Sequence, residues 1–260
     1  SGLNLGNFDE PEIIDGSEYF NTVFWSGNGA SSRGITGVSH APDFVWIKTR
    51  NQANEHSLFD SVRGVAKDLE SNSNAAEQAN NVYGYITSFD SDGFTVEPGT
   101  SGSALANESG NTFVAWNWKA GTAFSNDASA TSVGTIDSSG SVSVKSGFSI
   151  ISYVANGTNT GTVAHGLATE PTMVIQKDRS ASSDWLVYTD FVDGSDDYLL
   201  LNSTAAKGNA AGGAAATVFN SWDRTSGNNM IAYCFADIEG FSKAGVYSGN
   251  SSADGTYVHT

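Results

Sequence analysis

The 260-residue chain contains a single cysteine, Cys234, so it cannot form an intrachain disulfide. Cys234 lies in the apolar run 230–236, where a buried and unreactive thiol is expected. One cysteine and four dispersed histidines also cannot supply the ligand spacing of a tetrahedral zinc site. The sequence therefore excludes a disulfide scaffold and a zinc domain.

Charged residues are scarce too, at 15% of the chain against the usual ~25%. The 28 acidic and 12 basic side chains give a net charge of −16, which repels nucleic acids and anionic membrane surfaces. No run approaches the roughly 20 apolar residues that cross a bilayer, so membrane insertion is not expected. No cleavable signal segment is seen at the start, and we expect export through lysis or assembly into a larger particle.

What the chain does contain is an internal repeat. The segment 44–48 returns as 173–177, 129 residues later, and the segment 113–118 returns as 230–235, 117 residues later. Between them, the segment 72–76 returns as 202–206, 130 residues later. Landmarks that recur in the same order, with the offset shrinking only at the end, indicate a duplicated module with loops of unequal length. Such arrays are a common way to build binding and structural proteins, and a less common way to build enzymes.

Short apolar bursts rich in β-branched and aromatic residues, separated by Gly, Asn, Ser and Asp, are typical of an all-β sandwich or barrel. In 113–118 and in 230–235, large side chains share one face and a small residue takes the middle of the other. Both faces are largely apolar, so each segment is expected to be a central strand covered on both sides. Val62, Val65 and Leu69 have a spacing that permits one or two helical turns in the first repeat.

We predict an all-β fold of two tandem antiparallel β-sandwich modules of the lectin-like jelly-roll type, related by internal duplication. The first module covers 18–122 and the second covers 141–260, including the start of a third repeat-like segment from residue 248. Residues 1–17 are expected to form an N-terminal arm, and 123–140 a linker. The final segment either belongs to a longer array or completes an earlier module.

The pattern does not favour an enzyme. His40 and His165 take equivalent places just before the repeated strand, where a hydrogen bond that stabilises a turn is the favoured interpretation. No nucleophile elbow accompanies them. A glycosidase needs two opposed carboxylates, and Glu97 and Asp184 are the best of a scattered set.

Two acidic loops are candidate calcium sites. One contains Asp90 and Asp92, and the other contains Asp193, Asp196 and Asp197. Clustered carboxylates suit calcium, although neither loop completes an EF-hand. Plain turns are the alternative, because Asp-Gly pairs form turns readily. No other cofactor is expected.

Aromatic rings that stack on sugars are the usual means by which β-sandwiches bind carbohydrates. Trp25, Trp185 and Trp222 lie at predicted strand edges or in loops among polar neighbours, which makes them candidate ligand-binding residues. Burial in the core is the equal alternative for these three. The other three tryptophans lie inside the repeated strands and are expected in the core.

In combination, several segments resemble a known family. They are 20–23, 27–29, 35–38, 42–48, 58–64, 87–94 and 112–121 in the first half, with 240–243 and 247–250 in the second. This series resembles a repeat domain of tail-fibre-like and other virion proteins of bacteriophages, many of them marine. The resemblance covers the chain from about residue 18 onward. It implies a virion setting and supplies no site residues. The second copy departs at Ile175, which replaces Trp46, and it lacks a counterpart of 59–64.

Together these observations predict a non-enzymatic structural and adhesion module of a phage tail fibre or virion appendage, which binds host-surface glycans during host attachment. Its partners would be other virion proteins or further copies of itself. A homo-oligomer such as a trimer would let weak sites gain strength through multivalency. The alternatives are a carbohydrate-binding module of a secreted protein and, as a third class, a polysaccharide-active enzyme.

Overall fold

The computed structural model describes residues 12–222 and 224–255, and its 41% strand and 3% helix place the chain in the all-β class. The strands of the first half are β1 Phe20–Ser26, β2 Arg33–Thr36, β3 Phe44–Thr49, β4 His56–Asp60, β5 Lys67–Glu70, β6 Gln78–Ala79, β7 Tyr85–Asp90, β8 Gly93–Glu97 and β9 Thr112–Trp118. Those that follow are β10 Thr122–Asn126, β11 Ser138–Ser143, β12 Phe148–Val154, β13 Thr162–Ala164, β14 Met173–Asp178, β15 Leu186–Thr189, β16 Asp197–Leu200, β17 Gly208–Asn209, β18 Val218–Asn220 and β19 Asn229–Phe235. A 3-10 turn at Gly16–Glu18 and the helix α1 at Ala128–Thr131 are both short.

Two large antiparallel sheets organise these strands. The first has the order β1-β9-β3-β4-β5-β6, and the second has the order β10-β11-β12-β19-β14-β15-β16-β17. Strands β9 and β19 contain the repeated segments 113–118 and 230–235, and each lies between two neighbours. The prediction of two central strands is therefore confirmed.

Smaller sheets accompany the large ones. The sheet β2-β8-β7 packs with the first large sheet, where Ala115 of β9 shares a buried cluster with Ile35 and Phe94. The pair β13-β18 packs with the second, where Cys234 of β19 shares a cluster with Phe219. Small side chains at the middle of these outer faces leave room for the covering sheet. Cys234 is buried and free, as the sequence predicted.

The two large sheets pack against each other through their inner faces. This third cluster combines Phe44 and Leu58 from the first sheet with Ile175, Trp185 and Tyr233 from the second. The rings of Phe44 and Tyr233 stack with centroids 4.3 Å apart. Burying each large apolar side chain stabilises the fold by about 1.5–3 kcal/mol, so the interface is a core in its own right.

The predicted linker 123–140 is folded. Strand β10 pairs with β11 along the edge of the second sheet, from Thr122 opposite Val142 to Asn126 opposite Ser138. Between the two strands, the Asp127 side chain accepts hydrogen bonds from the first turn of α1. The backbone hydrogen bonds of this hairpin are satisfied within the sheet, so the stretch extends the second sheet instead of spacing two modules.

Two further segments bear on the expectations. The Gly64 amide donates to the Asp60 carbonyl and closes a single turn, but no helix continues through 62–69, because Leu69 belongs to strand β5 and fills the cluster between the large sheets. The described part of the final segment, 248–255, contains no strand, and 256–260 lie outside the described residues. The N-terminal arm is described only from residue 12. Within the described residues, no helix is long and apolar enough to cross a membrane.

Candidate functional site

An aromatic cleft of about 320 Å³ opens where the interface between the large sheets reaches solvent. Its aromatic lining residues are Tyr19, Phe20, Trp118, Phe148, Phe235 and Phe241. Its polar lining residues are Ser146, Ser242 and Lys243. Apolar rings with a few convergent polar groups are the usual composition of a small-molecule site.

Two cross-strand pairs form the floor of the aromatic cleft. Phe20 of β1 lies directly opposite Trp118 of β9, with ring centroids 4.9 Å apart. Phe148 of β12 lies directly opposite Phe235 of β19, with centroids 5.0 Å apart. Trp118 and Phe235 then meet edge to face across the sheets at 6.2 Å. The floor is therefore fixed by the register of both sheets.

Two short turns form the rim of the aromatic cleft. Tyr19 follows the 3-10 turn, and Phe241 belongs to a turn closed by a bridge between Ile238 and Ser242. The rings of Tyr19 and Phe241 meet edge to face at 6.3 Å. A Cβ atom on Gly16 would lie 3.2 Å from the Phe241 ring, so a small residue lets the two turns approach.

One polar atom in the lining is unpaired. The Ser146 Oγ is buried and has no hydrogen-bond partner among the described residues, and Ser146 is only 5% exposed. A buried polar group without a partner costs about 1–3 kcal/mol. Ser146 lines the aromatic cleft, and rotation of its side chain toward the cleft would let the hydroxyl pair with a ligand, so Ser146 is the candidate polar anchor.

Two of the three candidate ligand-binding tryptophans are buried. Trp25 is 8% exposed, and its indole N–H donates to the Ala106 carbonyl at 3.0 Å. Trp185 is 0% exposed, and its N–H donates at 2.9 Å to the carbonyl of Glu70 in the other sheet. For both residues the structure therefore favours the alternative of core burial over stacking on a ligand. Trp222 is half-buried against the Tyr198 ring at 4.9 Å and lines no part of the aromatic cleft.

The first candidate calcium loop is a turn. The Asp92 carboxylate accepts hydrogen bonds from the backbone amides of Ser39 at 2.7 Å and Gly37 at 3.1 Å, and these bonds lower its pKa. Asp90 accepts from the hydroxyls of Ser88 and Thr95. Both side chains are thus occupied in joining neighbouring loops and strands.

The second candidate calcium loop holds a lysine. The Lys207 ammonium lies 2.7 Å from Asp193 and 2.8 Å from Asp197, and its hydrogen bond holds the pKa of Asp193 well below the usual range. The Tyr188 hydroxyl donates to Asp196 at 3.0 Å. Nowhere in 12–222 or 224–255 do three or more potential ligands form a metal-binding group. The calcium prediction at both loops is therefore not supported.

Both repeated histidines bond to the backbone. His40 Nδ1 lies 2.9 Å from the Ser17 carbonyl. His165 Nε2 lies 3.1 Å from the Ala215 carbonyl, and its Nδ1 accepts from the Leu167 amide. Burial lowers the pKa of each imidazole, which favours the neutral form. Each histidine thus makes the backbone hydrogen bond expected of it: His165 closes a turn through Leu167, while His40 joins its loop to a segment distant in sequence. The two carboxylates considered for a glycosidase belong to different halves of the chain. Glu97 ends strand β8, and Asp184 precedes strand β15.

One family covers nearly the whole sequence: the profile of a domain of unknown function, DUF7483, matches residues 15–260. The chain belongs to the DUF7483 family. The match spans both halves and every residue of the aromatic cleft. No curated protein and no solved structure matches the chain.

The aromatic cleft of this DUF7483 domain was missed from the sequence. Trp118 was expected in the core, and its ring packs there in part while the rest lines the cleft. One feature of the sequence pointed to the cleft: both central strands end in a large aromatic residue, Trp118 and Phe235. The turns that bring Tyr19 and Phe241 to them lie at opposite ends of the sequence.

Proposed function

We propose that this chain is a non-enzymatic adhesion module that binds a glycan in the aromatic cleft. The supporting observation is the combination of partly exposed rings at Trp118, Phe235 and Phe241 with the unpaired hydroxyl of Ser146. A sugar presents an apolar C–H face that packs on aromatic rings, and it carries hydroxyls that pair with buried polar groups. The cleft offers both kinds of contact side by side.

The proposed setting is a virion appendage such as a phage tail fibre. It rests on the resemblance of the first-repeat segments to virion repeat domains, together with a weakly charged surface. Copies of this chain or other virion proteins would be its partners. A trimer would raise the avidity of a weak cleft, because the second and third binding events become intramolecular.

The proposal includes an origin of the two large sheets by duplication. The order β1-β9-β3-β4-β5-β6 has the same form as β12-β19-β14-β15-β16-β17. The register agrees as well, since Phe44 pairs with Trp118 and Met173 pairs with Phe235. The second sheet adds β10 and β11 at its edge. The lectin-like jelly-roll form of each module is part of this proposal.

A glycan array probed with the full chain tests the proposed function. We expect binding to a subset of glycans, with no reducing sugar released on prolonged incubation. Phe241→Ala should abolish binding, whereas Trp222→Ala, at the candidate outside the cleft, should leave it intact. Release of reducing sugar would favour the polysaccharide-active enzyme instead.

The oligomeric state distinguishes a module of a virion appendage from a carbohydrate-binding module of a secreted protein. A trimer or a larger assembly, measured by light scattering, would support the appendage. A monomer that binds glycans would favour a carbohydrate-binding module of a secreted protein. If the chain is folded by circular dichroism but binds no glycan on the array, both of these binding roles are contradicted.

A further inference from the structure

A second depression adjoins the aromatic cleft. This basic groove, of about 540 Å³, is lined by Lys119 and Lys145 and runs along β10 and β11. Tyr19 lines both the basic groove and the aromatic cleft, so the two form one continuous surface. The Lys145 ammonium lies 5.8 Å from the centroid of the Tyr19 ring, at the boundary between them.

The charge of this surface is opposite to that of the chain. The net charge is −16, yet the lining of the cleft and the groove includes three lysines, Lys119, Lys145 and Lys243, and no aspartate or glutamate. A neighbouring depression of about 560 Å³ is instead lined by Asp127 and Asp137. The absence of acids is thus a property of this surface and does not hold for every depression on the molecule.

The three lysines are available for a ligand. Within the described residues, ion pairs engage Arg63, Arg179 and Lys207, and none engages a lysine of this surface. Two acids near the surface are occupied by other groups. Asp43 accepts hydrogen bonds from the amides of residues 120 and 121. Asp237 accepts from a hydroxyl and an amide of residues 172 and 244.

We infer that the aromatic cleft and basic groove together bind an anionic glycan, one that carries carboxylate or sulfate groups. This inference rests on the proposed glycan-binding function and adds the class of sugar. The rings and Ser146 contact the sugar face and hydroxyls, and the lysines pair with the acidic groups of adjacent residues. Because the chain as a whole carries a net charge of −16, three lysines without a neighbouring acid in the lining make this surface more favourable to an anion than the average surface, which helps to orient the ligand on approach.

Calorimetry with the intact chain tests the class of sugar. The probes are oligosaccharides of equal length: one neutral, one made of uronic acids, and one sulfated form of the neutral oligomer. A single-stranded oligonucleotide of similar charge is a fourth probe. We expect at least one anionic oligosaccharide to bind about tenfold more tightly than the neutral one, and the difference to shrink as added salt screens the lysines.

Variants of the lysines test the assignment. The double variant Lys119→Gln, Lys145→Gln should weaken binding of the anionic oligomer about tenfold, as expected from losing two exposed ion pairs, and leave the neutral oligomer unchanged. Lys67→Gln, which removes a charge outside both depressions, is the matched control and should change neither. Unaltered thermal midpoints would show that each variant is folded.

The outcomes separate the inference from the function on which it rests. Equal affinity for neutral and anionic oligomers, with no effect of the double variant, would overturn the inference and leave glycan binding intact. Equal or tighter binding of the oligonucleotide would overturn the assignment to a sugar. Failure of every oligosaccharide to bind, alongside an empty glycan array, would overturn both proposals.

Discussion

The Tyr233 hydroxyl donates a hydrogen bond of 2.7 Å to Asp60 Oδ2 across the interface between the two large sheets. The Arg63 guanidinium donates to the same carboxylate, and also to Glu77 at 3.3 Å. Glu77 in turn holds Arg179 of the second half through bonds of 2.8 and 3.0 Å. A chain of polar side-chain contacts thus crosses a largely apolar core. It ties the halves together through side chains that water cannot readily replace.

Removing the Tyr233 hydroxyl should weaken this connection. Burial raises the pKa of Tyr233 well above its ordinary value, so the phenol keeps its proton and donates at any working pH. We expect Tyr233→Phe to lower the free energy of unfolding by about 1–3 kcal/mol, measured by urea denaturation. Tyr83→Phe, at a residue 49% exposed, is the control. Equal midpoints for both variants would show that the bond contributes nothing.

Glu77 is expected to stabilise the fold through its ion pairs with Arg63 and Arg179. Its hydrogen bonds with Arg179 and its proximity to Arg63 outweigh burial and lower its pKa. Glu77→Gln should therefore cost roughly 1–3 kcal/mol of folding free energy, because two largely buried guanidinium groups lose their shared counter-charge. Glu239→Gln, at an exposed site, should be neutral. If Glu77→Gln is as stable as the wild type, solvent screens the ion pairs of Glu77 and they do not contribute to stability.

Asp68 should give the chain a pH-dependent stability. Burial raises the pKa of Asp68 from 3.8 to about 7. Its Oδ2 accepts from Asn81 at 2.6 Å, while Oδ1 has no partner among the described residues. Between about pH 4 and pH 7 the folded chain holds a proton that the unfolded chain has released, so stability falls as the pH rises through this window.

Comparison with Asp68→Asn isolates this effect. From pH 5 to pH 8, the wild type should lose on the order of 2–4 kcal/mol more folding free energy than the variant, because asparagine cannot ionise. Urea denaturation at the two pH values provides the measurement, and Asp254→Asn at an exposed site is the control. If the free energy of unfolding changes with pH in the same way for the wild type and Asp68→Asn, the raised pKa of Asp68 is contradicted.

Neither half is expected to fold alone. Residues 12–121 by themselves would expose Phe44, Leu58 and Leu69, which are buried against the second sheet. We expect that fragment and residues 122–255 to give poorly dispersed amide spectra separately, and native-like dispersion when mixed. Two independently folded fragments would instead support modules that are merely strung together.

The sequence predicted what short-range patterns encode. Alternation within 113–118 and 230–235 predicted central strands with one bulky face, and both are central strands. Prediction from the sequence failed where contacts between distant segments determine the structure. Polar neighbours left the burial of Trp185 undecided, and a contact between distant segments decides it, since its N–H reaches a carbonyl 115 residues away. Leu69 fits both a helical and a strand spacing, and the neighbouring strand β4 decides between them.

The misread linker has a similar cause. Its Ser- and Gly-rich composition is typical of a connection, but β11 needs small residues where it passes close to β12. A Cβ atom on Gly140 would lie only 1.8 Å from the Ile150 carbonyl oxygen. Composition alone cannot separate residues that are small because they are exposed from residues that are small because another strand is near. The aromatic cleft was equally hidden, since its rim is built from turns at the two ends of the chain.

The enclosed position of Cys234 has a practical consequence. Burial raises the pKa of its thiol to about 12, so the reactive thiolate is absent near neutrality. Air oxidation and thiol-alkylating reagents should leave Cys234 unmodified in the native protein, and copies crowded together should not be cross-linked through it. A cysteine introduced at an exposed position such as Val246 would then be the sole attachment point for a dye or a spin label.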